Sequence, residues 1–249
     1  MSEHFVIAGA QRCGTTFLAR ALAAHPEIEM ARTERPEPKF FLHDDPGAGA
    51  AERYRRTYFG HKPGARRFGE KSTSYLEHEH VAQRLQHHLP GVKVVVVVRD
   101  PVERAISHVR FSQREGLESR TLTEALCPGG PPPPPWDPDA VSVDPFAYIV
   151  RSRYVDYLEA FLRHIPRRQL YVIVFEEMVA SPQPVQGVLQ FLEVDPSETL
   201  VRSEVGDAVV SGSGEQIECR RELARELQAS ILRLEGLLGR SLDCWPSRG

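Results

Sequence analysis

Apolar residues fall in short unbroken blocks, separated by polar segments rich in Pro and Gly. Phe5–Ala8 is apolar without alternation and reads as a buried strand. Residues Thr15–Ala24 place Phe17, Leu18, Ala21 and Leu22 on one helical face, and Pro26 stops the pattern. The stretch 26–50 carries prolines at 26, 36, 38 and 46 and glycines at 47 and 49, which predicts irregular backbone of the kind that carries function. Short helices are predicted over 51–59 and 81–89, the second broken by Pro90-Gly91. VKVVVVV, residues 92–98, is the clearest strand: β-branched and without alternation, it belongs in a parallel sheet buried on both faces. A helix follows, with Pro101 in its first turn and Gly116 at its end. Five successive prolines, 131–135, make 127–145 a stiff surface segment. Helices over 147–164 and 184–192 flank another buried strand at 169–175. A last helix over 218–238 carries the stripe Leu223, Leu227, Ile231, Leu234, Leu238.

This order predicts an α/β protein: a three-layer, P-loop-like fold with a central, mainly parallel sheet flanked by helices, in a single domain over 1–249. Ligands in such folds sit beyond the carboxyl ends of the strands. The Gly9–Thr16 loop and the turn at Arg99 both follow strands, so they can share one site.

Composition narrows the function classes. The net charge of −3 lacks the basic footprint of a nucleic-acid or membrane binder. No apolar run approaches the ~20 residues of a membrane span, and the first apolar block leads straight into a loop rather than a targeting signal. The cysteines at 13, 127, 219 and 244 show no CxxC or zinc-ribbon spacing, so the chain reads as reduced and cytoplasmic, with a Cys219–Cys244 bridge left open. Lysine occurs only at 39, 62, 71 and 93, which makes each well-placed one worth following.

Candidate chemistry begins in the first loop. Gly9-x4-Gly14 with Thr16 has the spacing of a phosphate-binding P-loop, yet Thr15 stands where an NTPase has lysine, and the loop's cation is Arg12. Backbone N–H groups of Gln11, Arg12, Cys13, Gly14, Thr15 and Thr16 at a helix N-terminus can cradle a phosphate, with Thr15 and Thr16 adding hydroxyls. A tight turn between strand and helix is the plainer alternative. Arg99 ends the Val-rich strand, and Ser107 lies two turns along the next helix. Together they can clamp a second phosphate, or Arg99–Asp100 is a local ion pair at the helix start and Ser107 an ordinary helix serine. No acidic metal ligand directly ends the strand, because Arg99 precedes Asp100.

Two phosphate grips without an NTPase lysine suggest 3′-phosphoadenosine 5′-phosphosulfate (PAPS), and there the chain resembles the PAPS-dependent sulfotransferases of the heparan-sulfate-type and bacterial carbohydrate-type branch. GAQRCGTTFLARALAAHPEI resembles their 5′-phosphosulfate loop, EPKFF (37–41) their K-E-P-x-F-F segment, GEKSTSYL (69–76) their E-K-T-P-x-Y segment, and VVVVVRDPVERAISHVRF (94–111) their 3′-phosphate segment. FEEMVASPQPVQGVLQFLEV and LEGLLGRSLDCW match weaker downstream patterns. The resemblance implies PAPS as co-substrate with no metal requirement, Arg12 on the 5′-phosphate, Arg99 and Ser107 on the 3′-phosphate, Glu37 as general base and Lys71 beside the sulfuryl group. The cytoplasmic setting and small size favour, as acceptor, a hydroxyl of a soluble saccharide or secondary metabolite over a Golgi polysaccharide, and charge and hydropathy oppose nucleic acid or membrane as partner. His43 and His108 are further pocket candidates, and Trp136 in the proline segment offers a stacking face to an acceptor.

The residues themselves leave plainer roles open: a solvated loop carboxylate for Glu37, a surface pair with Glu70 for Lys71, and a solvated helix face for His78, His80, His87 and His88. Two departures stand out. Residues 211–221 lack a basic residue beside their glycines, with Arg220 and Arg221 as substitutes, and Arg35-Pro36 stand where Lys often precedes the Glu. The other function classes are a P-loop kinase, which the missing lysine opposes, and a non-catalytic nucleotide-binding protein, which retention of all five polar site residues opposes.

Overall fold

The computed structural model describes residues 3–33, 36–137, 143–196 and 214–248. Its strands are β1 (His4–Gly9), β2 (Ile28–Met30), β3 (Arg67–Lys71), β4 (Lys93–Val98) and β5 (Leu170–Val174). Its helices begin with α1 (Thr15–Ala23), α2 (Ala50–Tyr58), α3 (Glu79–His88), α4 (Pro101–Arg114) and α5 (Leu122–Leu126). They continue with α6 (Tyr154–Leu162), α7 (Phe175–Ala180), α8 (Gln183–Phe191) and α9 (Gly214–Leu238). The chain groups into two compact units, Met1–Val98 with Tyr157–Val205, and Arg99–Asp156 with Gly206–Gly249.

The first unit holds one parallel five-stranded sheet in the order β2-β3-β1-β4-β5, flanked by helices. The apolar blocks explain its centre. Phe5 to Ala8 and Val94 to Val98 are wholly buried, and each such side chain withdrawn from water contributes about 1.5–3 kcal/mol. From β1 the chain runs out to the edge strand β2, returns inward to β3, then crosses to β4 and β5 on the other side. The carboxyl end of β1 is therefore the place where the topology reverses, the position at which open α/β sheets leave a crevice.

Two strands lie where the sequence pattern predicts none. β2 is three residues long within the predicted irregular stretch, and β3, RFGEK, has almost no apolar signature. Gly69 in β3 is required by packing: a Cβ there would sit 2.1 Å from the Phe5 ring. The predicted helix over 147–164 resolves into a 3-10 turn at Val150–Ser152 and α6, while α5 and α7 were not predicted.

In the second unit α4, α5 and α9 pack on one another, and Leu126, Leu223, Leu227 and Ile231 are buried. Asp100 caps α4, its carboxylate accepting from the N–H groups of Val102 and Glu103. A capping box of Thr121 and Glu124 starts α5. The cysteine expectation is corrected here: Cys219 pairs with Cys127 and not with Cys244, joining the end of α5 to α9. Among the described residues no helix is long and apolar enough to cross a membrane.

Candidate active site

The loop after β1 is anchored at both ends. Ala10 N–H donates to the Val97 carbonyl of β4 at 2.9 Å. Gly14 sits in the left-handed region at φ 83° as the N-cap of α1, and a Cβ there would lie 2.5 Å from the Phe175 ring. No side chain caps α1 and its first turn has no acidic residue. That leaves the positive end of the helix dipole turned to whatever lies beyond the strand ends. Arg12 is held half-buried at φ 71°, Gln11 and Thr16 are half-buried, and Cys13 and Thr15 are buried. Of the two expected hydroxyl donors, Thr15 is the more buried and Thr16 the more accessible.

The acidic segment 37–41 is stitched to the chain leaving β3. Glu37 accepts from Lys71 Nζ at 2.7 Å, from Thr73 N–H at 2.8 Å, and from Thr73 Oγ1 at 3.0–3.1 Å. Two residues on, Lys39 N–H donates to Ser72 Oγ at 2.9 Å, and Phe41 N–H donates to the Tyr75 hydroxyl at 3.0 Å. The same stretch closes on the β1 loop: Ser72 N–H donates to Ile7 O at 3.1 Å, and a Cβ on Gly9 would lie 3.2 Å from the Thr73 carbonyl. The first unit thus brings Glu37, Lys71 and the Gly9–Thr16 loop to one edge of its sheet. Lys71 pairs with Glu37 and not with its neighbour Glu70, because adjacent strand residues point to opposite faces.

Glu70 is fully buried on the other face. Burial raises its carboxyl to about 8, against the opposing influence of the Tyr75 and Tyr54 phenols and helped by the Glu37 charge. Near neutral pH it is therefore largely protonated.

The histidine expectations change. His43 is exposed on the 37–45 segment, and its carbonyl accepts from Arg84. His80 and His88, expected on a solvated face, instead hold that segment: His80 Nε2 meets Leu42 O at 2.8 Å, and His88 Nε2 meets Asp45 at 2.9 Å. Hydrogen bonds from Gly47 N–H and His88 hold the Asp45 carboxyl below its usual range. No group of three or more His, Cys, Asp or Glu able to hold a metal ion occurs among the described residues.

In the second unit Arg99 immediately precedes the Asp100 cap and is largely buried, and Ser107 is half-buried two turns into α4. His108 is buried, its ring edge-on to Tyr148 with guanidinium nitrogens of Arg104 and Arg151 3.5 and 3.4 Å from its two ring nitrogens. Trp136 is half-buried in the proline segment, whose start is fixed by Arg120 donating to Pro131 O. Arg220 is engaged with Glu103, and this pair and Arg221 line one cavity of about 210 Å³ together with Asp100, Val102 and Ser247. Arg35 and residues 211–213 of the departing segment lie outside the described residues. Sequence reasoning missed Ser72, Thr73 and Tyr75 as holders of the acidic segment. The sequence signal for them was their place in the GEKSTSYL segment beside Lys71, which says nothing of the partner they hold.

The family profile described as "Sulfotransferase domain" matches residues 2–211. The chain is 30% identical over 198 residues to heparan sulfate glucosamine 3-O-sulfotransferase 5 of Mus musculus, covering 77% of this chain and 53% of that protein. It is 28% identical over 190 residues to heparan sulfate glucosamine 3-O-sulfotransferase 3B1 of Homo sapiens, covering 74% and 44%. The chain thus spans about half the length of these curated relatives. Among solved structures, a sulfotransferase from Alicyclobacillus acidocaldarius superposes with a TM-score of 0.75 at 27% identity, over 97% of both chains. The sulfotransferase domain from the curacin biosynthetic pathway shares the fold, with a TM-score of 0.58 at 15% identity over 96% of this chain and 98% of that one.

Proposed function

Because the chain belongs to the sulfotransferase domain family, we propose that it moves a sulfuryl group from PAPS to a hydroxyl of a small-molecule or saccharide acceptor. The observation that carries this reading is Glu37, a carboxylate held by Lys71 and Thr73 at the sheet edge where the β1 loop also lies. A base, a cation and an anion-binding helix start are the three parts that in-line sulfuryl transfer needs.

In this reading the loop and the α1 N-terminus take the 5′-phosphosulfate, with Arg12 neutralising charge. The acceptor hydroxyl gives its proton to a Glu37 oxygen. Its oxygen then forms the new bond to sulfur, while the bond from sulfur to the bridging oxygen breaks. The electron pair of that bond leaves with the 5′-phosphate of 3′-phosphoadenosine 5′-phosphate (PAP), where the loop donors and Arg12 stabilise it. Lys71 exchanges Glu37 for the sulfuryl oxygens as charge spreads over them. A sulfuryl group carries less negative charge than a phosphoryl group, so these fixed cations can serve without a divalent ion.

Arg99 and Ser107 we assign to the 3′-phosphate, and His43, His108 and Trp136 to the acceptor's surroundings, on the strength of the resemblance. The relatives named above are described as acting on heparan sulfate glucosamine. For this chain we carry over the saccharide class alone, beside secondary metabolites.

The test is PAP release from PAPS across a panel of mono- and oligosaccharides and hydroxylated small molecules, with chelator present. Acceptor-dependent PAP supports the reading. No PAP binding by calorimetry and no acceptor-dependent release would overturn it.

A further inference from the structure

We propose that Thr73 is a positioning residue for the Glu37 base, an inference that rests on the proposed sulfuryl transfer. Thr73 gives Glu37 two donors from one residue, its backbone N–H to Oε2 at 2.8 Å and its hydroxyl shared between both carboxylate oxygens at 3.0 and 3.1 Å. Thr73 as a whole is 7% exposed, so its hydroxyl is largely shut off from bulk water.

The need for such a hold follows from Lys71. That ammonium sits on a flexible stem, and charge developing on the sulfuryl oxygens draws it away from Glu37. When it turns to the sulfuryl group, Glu37 loses its 2.7 Å partner, and a side chain on an irregular segment would swing with it. Thr73 has no reason to move. Its N–H belongs to the backbone leaving β3, which Ser72 fastens to Ile7 O.

The lone-pair count supports the same role. A carboxylate offers about four acceptor directions. Lys71, the Thr73 N–H and the Thr73 hydroxyl occupy three, leaving about one for the acceptor hydroxyl while Lys71 is in place and about two once it departs. The two Thr73 donors therefore decide which directions stay open and fix the line along which the acceptor's proton is taken. Thr73 also stands where the pattern E-K-T-P-x-Y has proline, which has no N–H to give, so this hold is a feature of the present chain.

The test compares Thr73→Ser, Thr73→Val and Thr73→Pro. Thr73→Ser keeps both donors and should stay within about twofold of wild-type turnover. Thr73→Val keeps the shape and the N–H but loses the hydroxyl. Its kcat should fall about tenfold with KM for PAPS, affinity for PAP and melting temperature unchanged. Thr73→Pro should lose more. Thr73→Val turnover within twofold of wild type, or a fall in nucleotide affinity matching the fall in kcat, would overturn the proposal. A second arm needs no turnover: crystal structures of wild type and Thr73→Val. Displacement of the Glu37 carboxylate in the variant supports the hold, and an unmoved carboxylate sinks it. An inactive wild type that also fails to bind PAP refutes the sulfotransferase reading instead, and the crystallographic arm still decides what Thr73 does to Glu37.

Discussion

Replacing Glu37 by Gln separates what the carboxylate does for the reaction from what it does for the fold. The amide keeps the side-chain shape and one acceptor oxygen for the Thr73 N–H, but it cannot take a proton from an acceptor hydroxyl. If Glu37 is the general base, turnover should fall by ~10²–10⁴-fold. The β1 loop is untouched, so affinity for PAP should remain that of wild type. Stability should fall as well. The side chains of Lys71 and Glu37 are 9% and 15% exposed. Removing one partner of a buried ion pair costs about 3–5 kcal/mol because the other charge is stranded. Residual exposure puts this pair at the low end, about 3 kcal/mol. For a chain of this size that is a drop of roughly 6–12 °C in melting temperature.

A second substitution tests the attribution. Glu37→Gln with Lys71→Met removes the stranded charge, so the double variant should regain melting temperature while its turnover stays low. Calorimetric melting, PAP titration and PAP release from PAPS read the three quantities separately. If Glu37→Gln keeps turnover within about threefold of wild type, the base lies elsewhere. The exposed His43, on the same segment, becomes the first replacement. A variant with unchanged melting temperature would show that Lys71 finds another counter-charge.

Gly14→Ala forces a Cβ to 2.5 Å from the Phe175 ring at a φ of 83°, so it should destabilise by about 1–3 kcal/mol and weaken PAP binding; an unchanged melting curve and titration would refute the loop assignment. Arg99→Ala should weaken PAP binding by roughly 1.5–3 kcal/mol while kcat at saturating PAPS stays near wild type, and equal affinity would leave Arg99 a structural residue at the start of α4. Glu70 holds its proton in the folded state up to about 8 against an ordinary value of 4.5, so from pH 4.5 towards 8 the folded state binds the extra proton and stability falls by about 1.4 kcal/mol per unit. Glu70→Gln should remove that slope and raise the melting temperature at pH 8, and a variant that melts like wild type at pH 8 would contradict it.

The sheet was legible in sequence where burial is two-sided and the residues are β-branched. The β1 and β4 blocks are apolar because both faces are buried, and the edge strand β5, half-buried at Tyr171 and Val172, still keeps an unbroken apolar run. β3 was not legible for the opposite reason. Its Gly69 makes room for Phe5, its Glu70 is a carboxyl kept protonated by burial, and its Lys71 turns to the site, so no apolar period survives. β2 is too short for any period to register. The Gly9–Thr16 loop could be read because its spacing is imposed by local backbone geometry. The partners of Glu37 could not, since Thr73 is 36 residues away in sequence and no local rule joins them. The cysteine pairing failed similarly: Cys127 and Cys219 are separated by 92 residues, and spacing alone does not favour them over Cys219 and Cys244. His80 and His88 of α3 were misjudged because a helical period says which face a residue occupies and not what packs against it.

The irregular segment 37–41 carries the proposed base, yet it is not loose. Its backbone is fixed by Lys39 N–H on Ser72 and Phe41 N–H on Tyr75, and its carboxylate by Lys71 and Thr73. Every one of these partners lies within five residues after Glu70, on the chain leaving one strand of the sheet. Ser72 in turn is tied to Ile7 in β1, the strand that leads into the phosphate-type loop. Base and loop are therefore both referred to β1: the loop directly through the backbone, the base through short hydrogen bonds to Ser72, Thr73 and Tyr75, with Lys71 the one long side chain among its partners. That is the arrangement which keeps a reacting geometry within the fraction of an ångström that in-line transfer demands. It also explains why a sequence so poor in apolar residues at 67–75 still has to be a strand followed by a tight exit: its side chains are committed to holding another segment, and the hydrophobic cost of that commitment falls on Phe5, Ile7 and the valines of β4.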